Sequence, residues 1–95
     1  MAKTQYAVAF DLDQNMLQQT YKNDSYQNAY GEIKTFLKDN GFTWQQGSLY
    51  IGGSSPVDAI VTVQKLSKRF DWFKPSVTDI RLLRVEENND LSQAI

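Results

Sequence analysis

Large side chains alternate with small or charged ones along Tyr6-Ala7-Val8-Ala9-Phe10-Asp11-Leu12. A period of two predicts a strand with Tyr6, Val8, Phe10 and Leu12 on one face and Ala7, Ala9 and Asp11 on the other. The polar stretch from Asp13 to Asp24 reads as a loop or irregular segment. A helix is predicted from about Ser25 to Asn40, because Tyr26, Ala29, Tyr30, Ile33, Phe36 and Leu37 form one stripe at helical spacing. Asp24 with Gln27 three residues on has the form of a capping box, and Gly41 supplies a left-handed stop. Phe42–Gln45 and Ser48–Ile51 are short alternating runs joined through Gln46 and Gly47, which predicts a hairpin. Ser55-Pro56-Val57-Asp58 then starts a second helix with a cap, a first-position proline and an acid in the first turn. That helix carries Ala59, Val63, Leu66 and Phe70 on one stripe. Asp71 to Ser76 turns the chain, with Pro75 blocking further helix, and Val77 to Val85 is the last strand.

This order, β-α-β-β-α-β, is the ferredoxin-like α+β signature in a single domain spanning residues 1–95. Right-handed crossovers put both helices on one face of a four-stranded antiparallel sheet, with the first and third strands central and the fourth beside the first. The other sheet face is left bare. The helices should cover the large residues of the first strand, so Asp11 points to the bare face at the end of a central strand. The start of the last strand lies opposite, which brings Asp79 toward Asp11, and Arg81 and Tyr50 are placed on the same face. An acid on a mainly apolar strand signals a site, a partner or a second subunit, because an isolated buried charge is costly. Ordinary structure accounts for the same residues: a strand-end aspartate capping a turn, a cross-strand Asp79–Arg81 ion pair of little energetic value, Trp44 and Tyr50 as core or interface aromatics.

Composition narrows the chemistry. The 95 residues contain no cysteine and no histidine, which removes disulfides, thiolate metal sites and the usual general base. Hydrolysis would fall to carboxylates, hydroxyls, Lys, Arg or Tyr, and oxygen ligands favour a hard cation such as Mg²⁺. A chain of this length buries only about 60–65% of its unfolded surface, so oligomerisation is a route to more burial. The net charge of −1 supplies no basic field for nonspecific nucleic-acid binding. No apolar run reaches membrane-span length, and Lys3, Thr4 and Gln5 precede only seven mostly apolar residues, unlike a secretory leader. A soluble cytoplasmic protein is the expectation.

Three blocks carry a family resemblance. The opening Tyr6–Leu12 resembles the Y-A-[IVL]-A-F-D-L strand of virulence-associated protein D (VapD) proteins. Gly41–Tyr50 is similar to that family's G-F-x-x-x-Q-G-S-[VL]-Y. Trp72–Arg81 is similar to W-[FI]-x-x-S-V-R-D-I-R, followed by Val85-Glu86 for [VI]-E. Thr78 stands where the family usually has arginine, and Leu82 where alanine is common. The VapD proteins in turn resemble the small CRISPR-associated nuclease of spacer acquisition, whose Q-x-S-V-F motif is similar to Gln46-Gly47-Ser48-Leu49-Tyr50.

The resemblance implies a homodimeric endoribonuclease acting on RNA, and often the toxin of a toxin–antitoxin pair with an antitoxin protein as partner. It carries Asp11 over as catalytic, and Ser48 and Tyr50 as supporting motif positions. A carboxylate at a cleft can also help hold Mg²⁺ against the scissile phosphate, which makes Asp11 the metal-ligand candidate. Asp79 and Arg81 join them from the bare face, while Arg84 and Lys74 are candidates for RNA contact. Two chains would pair by bare faces or strand edges, bringing two copies of Asp11 to a shared cleft, where two carboxylates repel or recruit a cation. The segment 86–95, with Leu91, Ala94 and Ile95 near its end, is a candidate interface tail. Two other classes fit the same fold. One is a noncatalytic nucleic-acid scaffold, favoured by the near-neutral charge and the missing arginine at position 78. The other is a small-molecule-binding dimer, against which no phosphate-cradling glycine loop is apparent.

Overall fold

A computed structural model describes residues 4–95. The elements run β1 (Gln5–Leu12), α1 (Gln14–Thr20), α2 (Asn28–Asp39), β2 (Phe42–Gln46), β3 (Leu49–Gly52), α3 (Pro56–Arg69), α4 (Phe73–Ser76) and β4 (Val77–Val85), then a 3₁₀ turn at Ser92–Ala94. The sheet order is β2-β3-β1-β4, with β1 antiparallel to both β3 and β4 and β2 antiparallel to β3. This is the expected ferredoxin-like sheet, and β1 and β3 occupy its centre.

The periodic stripes find their partners. Val8 and Phe10 from β1 are buried with Ala29, Ile33 and Leu37 of α2 and Ala59 and Leu66 of α3 in one core. Gly41 ends α2 with φ +87°, and the Ser55 hydroxyl caps α3 by accepting from the Asp58 N–H.

Three local expectations are corrected. Residues 13–24 are not all loop: Asp13 caps α1 by accepting from the Met16 N–H at 3.1 Å, and Leu17 is fully buried. One buried leucine on seven residues is too weak a period to read from sequence. The helix expected from Ser25 begins at Asn28 instead, and Gln27 caps it without a side-chain hydrogen bond, so the Asp24–Gln27 box does not form. Asn23 instead accepts from the Ser25 N–H, holding residues 23–25 in a turn. Pro75 also does not exclude helix, because it falls inside the first turn of the single-turn α4, where its missing N–H is unused.

The second sheet face is only partly bare. Ala7 and Ile51 lie directly opposite each other on it and are buried, outside the helix-covered core. The segment after β4 folds back beside Leu49 and Ile51, with Asn88 Nδ2 3.5 Å from Gln45 Oε1. Leu91 and Ile95 stay exposed.

Candidate active site at the end of the sheet

The last residues of β1 and the first of β4 meet at one end of the sheet. Register pairs Phe10 with Ile80, Asp11 with Asp79, and Leu12 with Val77, so one residue, Thr78, is extra. It forms a bulge, and its hydroxyl donates to the Asp11 carbonyl at 3.3 Å. A bulge bends a strand locally and re-aims the side chains beside it. The position where relatives were expected to carry arginine therefore serves the backbone of Asp11 in this chain.

Asp11 is exposed on the face away from the helices. Asp79 stands opposite it and is engaged along its own strand by Arg81, whose Nε donates to both carboxylate oxygens at 3.3 and 3.0 Å. The carboxylate beside it raises the guanidinium pKa further. The bond uses Nε alone, and a guanidinium carries four further N–H donors that can meet a phosphate. Arg81 is opposite Ala9, one diagonal step from Asp11.

The turn of the β2–β3 hairpin closes the other side. Gly47 turns it at φ +49°, and the Ser48 carbonyl accepts from the Phe10 N–H at 3.2 Å, which fastens the turn to β1 immediately before Asp11. The result is an open cleft of about 430 Å³ lined by Ala9, Asp11, Gln46, Ser48, Leu49 and Asp79 among others. Gln46 enters this site through its place opposite Leu49; its position in the Q-x-S motif was the only sequence signal for it.

The structure thus brings Asp11, Ser48 and Asp79 together in the cleft, with Arg81 joined to them through Asp79. It corrects Tyr50, which lies opposite Val8 and so on the helix side of the sheet. Its ring is buried and stacks on Phe10 at 5.9 Å, and burial raises its phenol pKa. The misplacement arose from the hairpin, where a bulge between Trp44 and Gln46 leaves Ser48 in the turn and starts β3 only at Leu49. Arg84 is also separated from the cleft: it lies opposite Tyr6, on the other face from Asp11, and pairs with Glu86 at 3.2 Å. Lys74 is exposed on α4 and does not line the cleft.

No three His, Cys, Asp or Glu side chains gather into a metal cluster among the described residues. Asp11 and Asp79 form a pair, one of them shared with Arg81. Such a donor set fits Mg²⁺, which keeps several waters and is held through one or two carboxylates plus substrate phosphate.

The family model described as CRISPR associated protein Cas2 matches residues 4–92. Endoribonuclease VapD 2 of Riemerella anatipestifer is 49% identical over 92 residues, covering 95% of this chain and 98% of that protein. An endoribonuclease VapD homolog of Helicobacter pylori is 46% identical over 92 residues, with 95% of each chain covered. The chain belongs to the VapD family. A more divergent VapD endoribonuclease, from Dichelobacter nodosus, is 38% identical and spans 95% of this chain. The stretch matched by the family model, residues 4–92, includes both halves of the cleft, the β1 end and the hairpin turn.

Proposed function

We propose that this chain is an endoribonuclease that cuts RNA at the Asp11 cleft. The observation that carries the reading is a solvent-facing carboxylate at the end of a central strand, opposite an aspartate already held by an arginine. The names of its VapD relatives supply the reaction class. The nucleophilic hydroxyl, from water or the ribose 2′ position, donates a hydrogen bond to Asp11, which draws off its proton as the new P–O bond forms. The P–O bond to the departing ribose oxygen breaks, and that oxygen takes up a proton from water. Arg81, steadied by Asp79, offers its terminal N–H groups to a nonbridging phosphate oxygen. Mg²⁺ held by Asp11, with Asp79 beside it, would neutralise charge on that phosphate.

The working form is a homodimer. Support comes from β4, a nine-residue strand at the edge of the sheet among the described residues, and from Leu83 on the Asp11 face, which is 43% exposed. A second copy would cover both and set two clefts near one axis. The VapD assignment supports a toxin role in the cytoplasm, with an antitoxin protein as inhibitor. No helix among the described residues is long and apolar enough to cross a membrane.

Labelled single-stranded RNA incubated with purified protein tests the proposal. Wild type yields discrete cuts, and Asp11→Asn loses about 10²–10⁴-fold in rate, the range of one acid–base group. Equal cutting by the variant removes Asp11 from the mechanism, and binding without cutting by wild type makes the chain a scaffold. EDTA stops the reaction and added Mg²⁺ restores it. A mass measurement in solution reads the dimer.

A further inference from the structure

A second cleft, of about 370 Å³, lies across the hairpin turn from the first and is lined by Tyr30, Lys34, Trp44, Gly47, Ser48 and Tyr50. Gly47 and Ser48 line both clefts, so a strand leaving Asp11 reaches this one by crossing the turn. Trp44 is out of place for an ordinary core residue. β2 is otherwise polar and exposed beyond Phe42, yet it carries an indole that is 44% exposed. The ring is nevertheless fixed, because Nε1 donates to the Gly47 carbonyl at 2.8 Å. One face of it is met by the Lys34 ammonium, 4.5 Å from the ring centroid. The floor is equally rigid: Tyr50 stacks on Phe10, and Tyr30 packs against the core.

We infer that this aromatic cleft holds one unpaired nucleobase of the RNA substrate, stacked on Trp44, while Lys34 leaves the indole for the adjacent phosphate. The inference rests on the endoribonuclease reading and adds a recognition site to it. A preorganised, solvent-facing aromatic with a neighbouring cation is how single-stranded RNA is gripped, since bases stack on rings and phosphates pair with lysine. A base stacked on an indole outweighs an exposed lysine–indole contact, so Lys34 is displaceable. Both tyrosines are neutral phenols at ordinary pH, and burial raises their pKa values further, so they add no charge to the cleft.

Two measurements test this. In the first, Asp11→Asn protein is titrated with short single-stranded RNA while tryptophan fluorescence is followed. The other tryptophan, Trp72, is buried, so quenching reports Trp44; Trp44→Phe abolishes it and Trp44→Ala weakens binding about tenfold. In the second, one abasic nucleotide is moved stepwise along a cleaved substrate. Wild type loses about tenfold in kcat/KM at a single position, and Trp44→Ala is insensitive to the abasic site there. Lys34→Gln, at an exposed helical position, serves as the second variant and raises KM with kcat held. Identical abasic profiles for wild type and Trp44→Ala, or unchanged binding by the variant, overturn the base site while leaving the nuclease reading intact. Quenching by RNA that is never cut sinks the nuclease reading and leaves the base site standing.

Discussion

Asp11 and Asp79 face each other across β1 and β4, and Arg81 grips only the second of them. Directly opposed residues on antiparallel strands have Cβ atoms about 4.5–5.5 Å apart, a spacing at which like charges repel. The arginine makes the pair unequal. Asp79 becomes half of an ion pair, and Asp11 is left facing the cleft.

Removing Arg81 takes away the cation that balances this pair and the donor offered to the phosphate. Arg81→Ala is expected to lower kcat/KM by about tenfold or more, the size of one hydrogen bond to a charged group. Asp79→Asn keeps the arginine and costs less. Single-turnover cleavage rates, compared with melting curves of the same variants, check the order. Equal losses in both variants would mean that Arg81 acts only through Asp79.

Much of this was legible before any coordinates. The two-residue period of Tyr6–Leu12 put Asp11 on the correct face, and strand order alone put Asp79 opposite it. Tyr50 was misplaced because a face assignment depends on counting through the hairpin, and one bulged residue reverses every later side chain. The bulge at Thr78 was equally hidden, since an extra residue leaves no mark on the alternation of Ile80 and Leu82. α1 went unseen for a different reason. Its only buried residue is Leu17, and its stability comes from the Asp13 cap and from contacts with α4, which lies far along the chain.

Those distant contacts converge on Ser76, which is fully buried. Its hydroxyl donates to the Trp72 carbonyl at 2.7 Å and lies 3.3 Å from the Thr20 hydroxyl, while its carbonyl accepts from the Asp13 N–H at 2.7 Å. Ser76→Ala keeps the backbone bond but strips Thr20 and Trp72 of a partner. A loss of about 1–2 kcal/mol is expected in urea unfolding. Because Asp13 follows Asp11 by two residues, the variant should also slow cleavage, and a stability change with unaltered kcat would separate α1 from the site.

A carboxylate on α2 contributes to the acid limb of stability. Glu32 accepts from Lys22 at 2.8 Å and from the Tyr21 hydroxyl at 2.7 Å. The lysine, then the tyrosine, hold its carboxyl below the usual carboxylate range against the opposing effect of burial. A depressed folded value means stability that is present above the unfolded value of about 4.3 and is lost as pH falls through the folded one. Glu32→Gln should therefore be less stable than wild type at pH 7, by under about 1 kcal/mol for a partly solvated pair. The difference should shrink as the pH is lowered through the acid range. Urea midpoints at neutral and acid pH measure it; a constant gap across that range would exclude the charge as its source.

Gly52 offers the sharpest structural test. It is opposite both Tyr6 and Phe42, so it is hemmed in by a strand on each side. A Cβ there would collide with the Gly41 carbonyl oxygen and lie 2.9 Å from the Phe42 Cα. Both are backbone atoms, so no side chain can turn aside; the strand must move, and β2 carries Trp44 and Gln46 with it. Gly52→Ala is expected to cost about 3 kcal/mol, the upper part of the usual range for overpacking. Gly31→Ala is the control, because a Cβ there meets nothing within 4 Å and alanine is the better helix former. The two variants should shift the thermal midpoint in opposite directions. A Gly52→Ala protein as stable as wild type would show that β2 does not approach β3 as closely as this register requires.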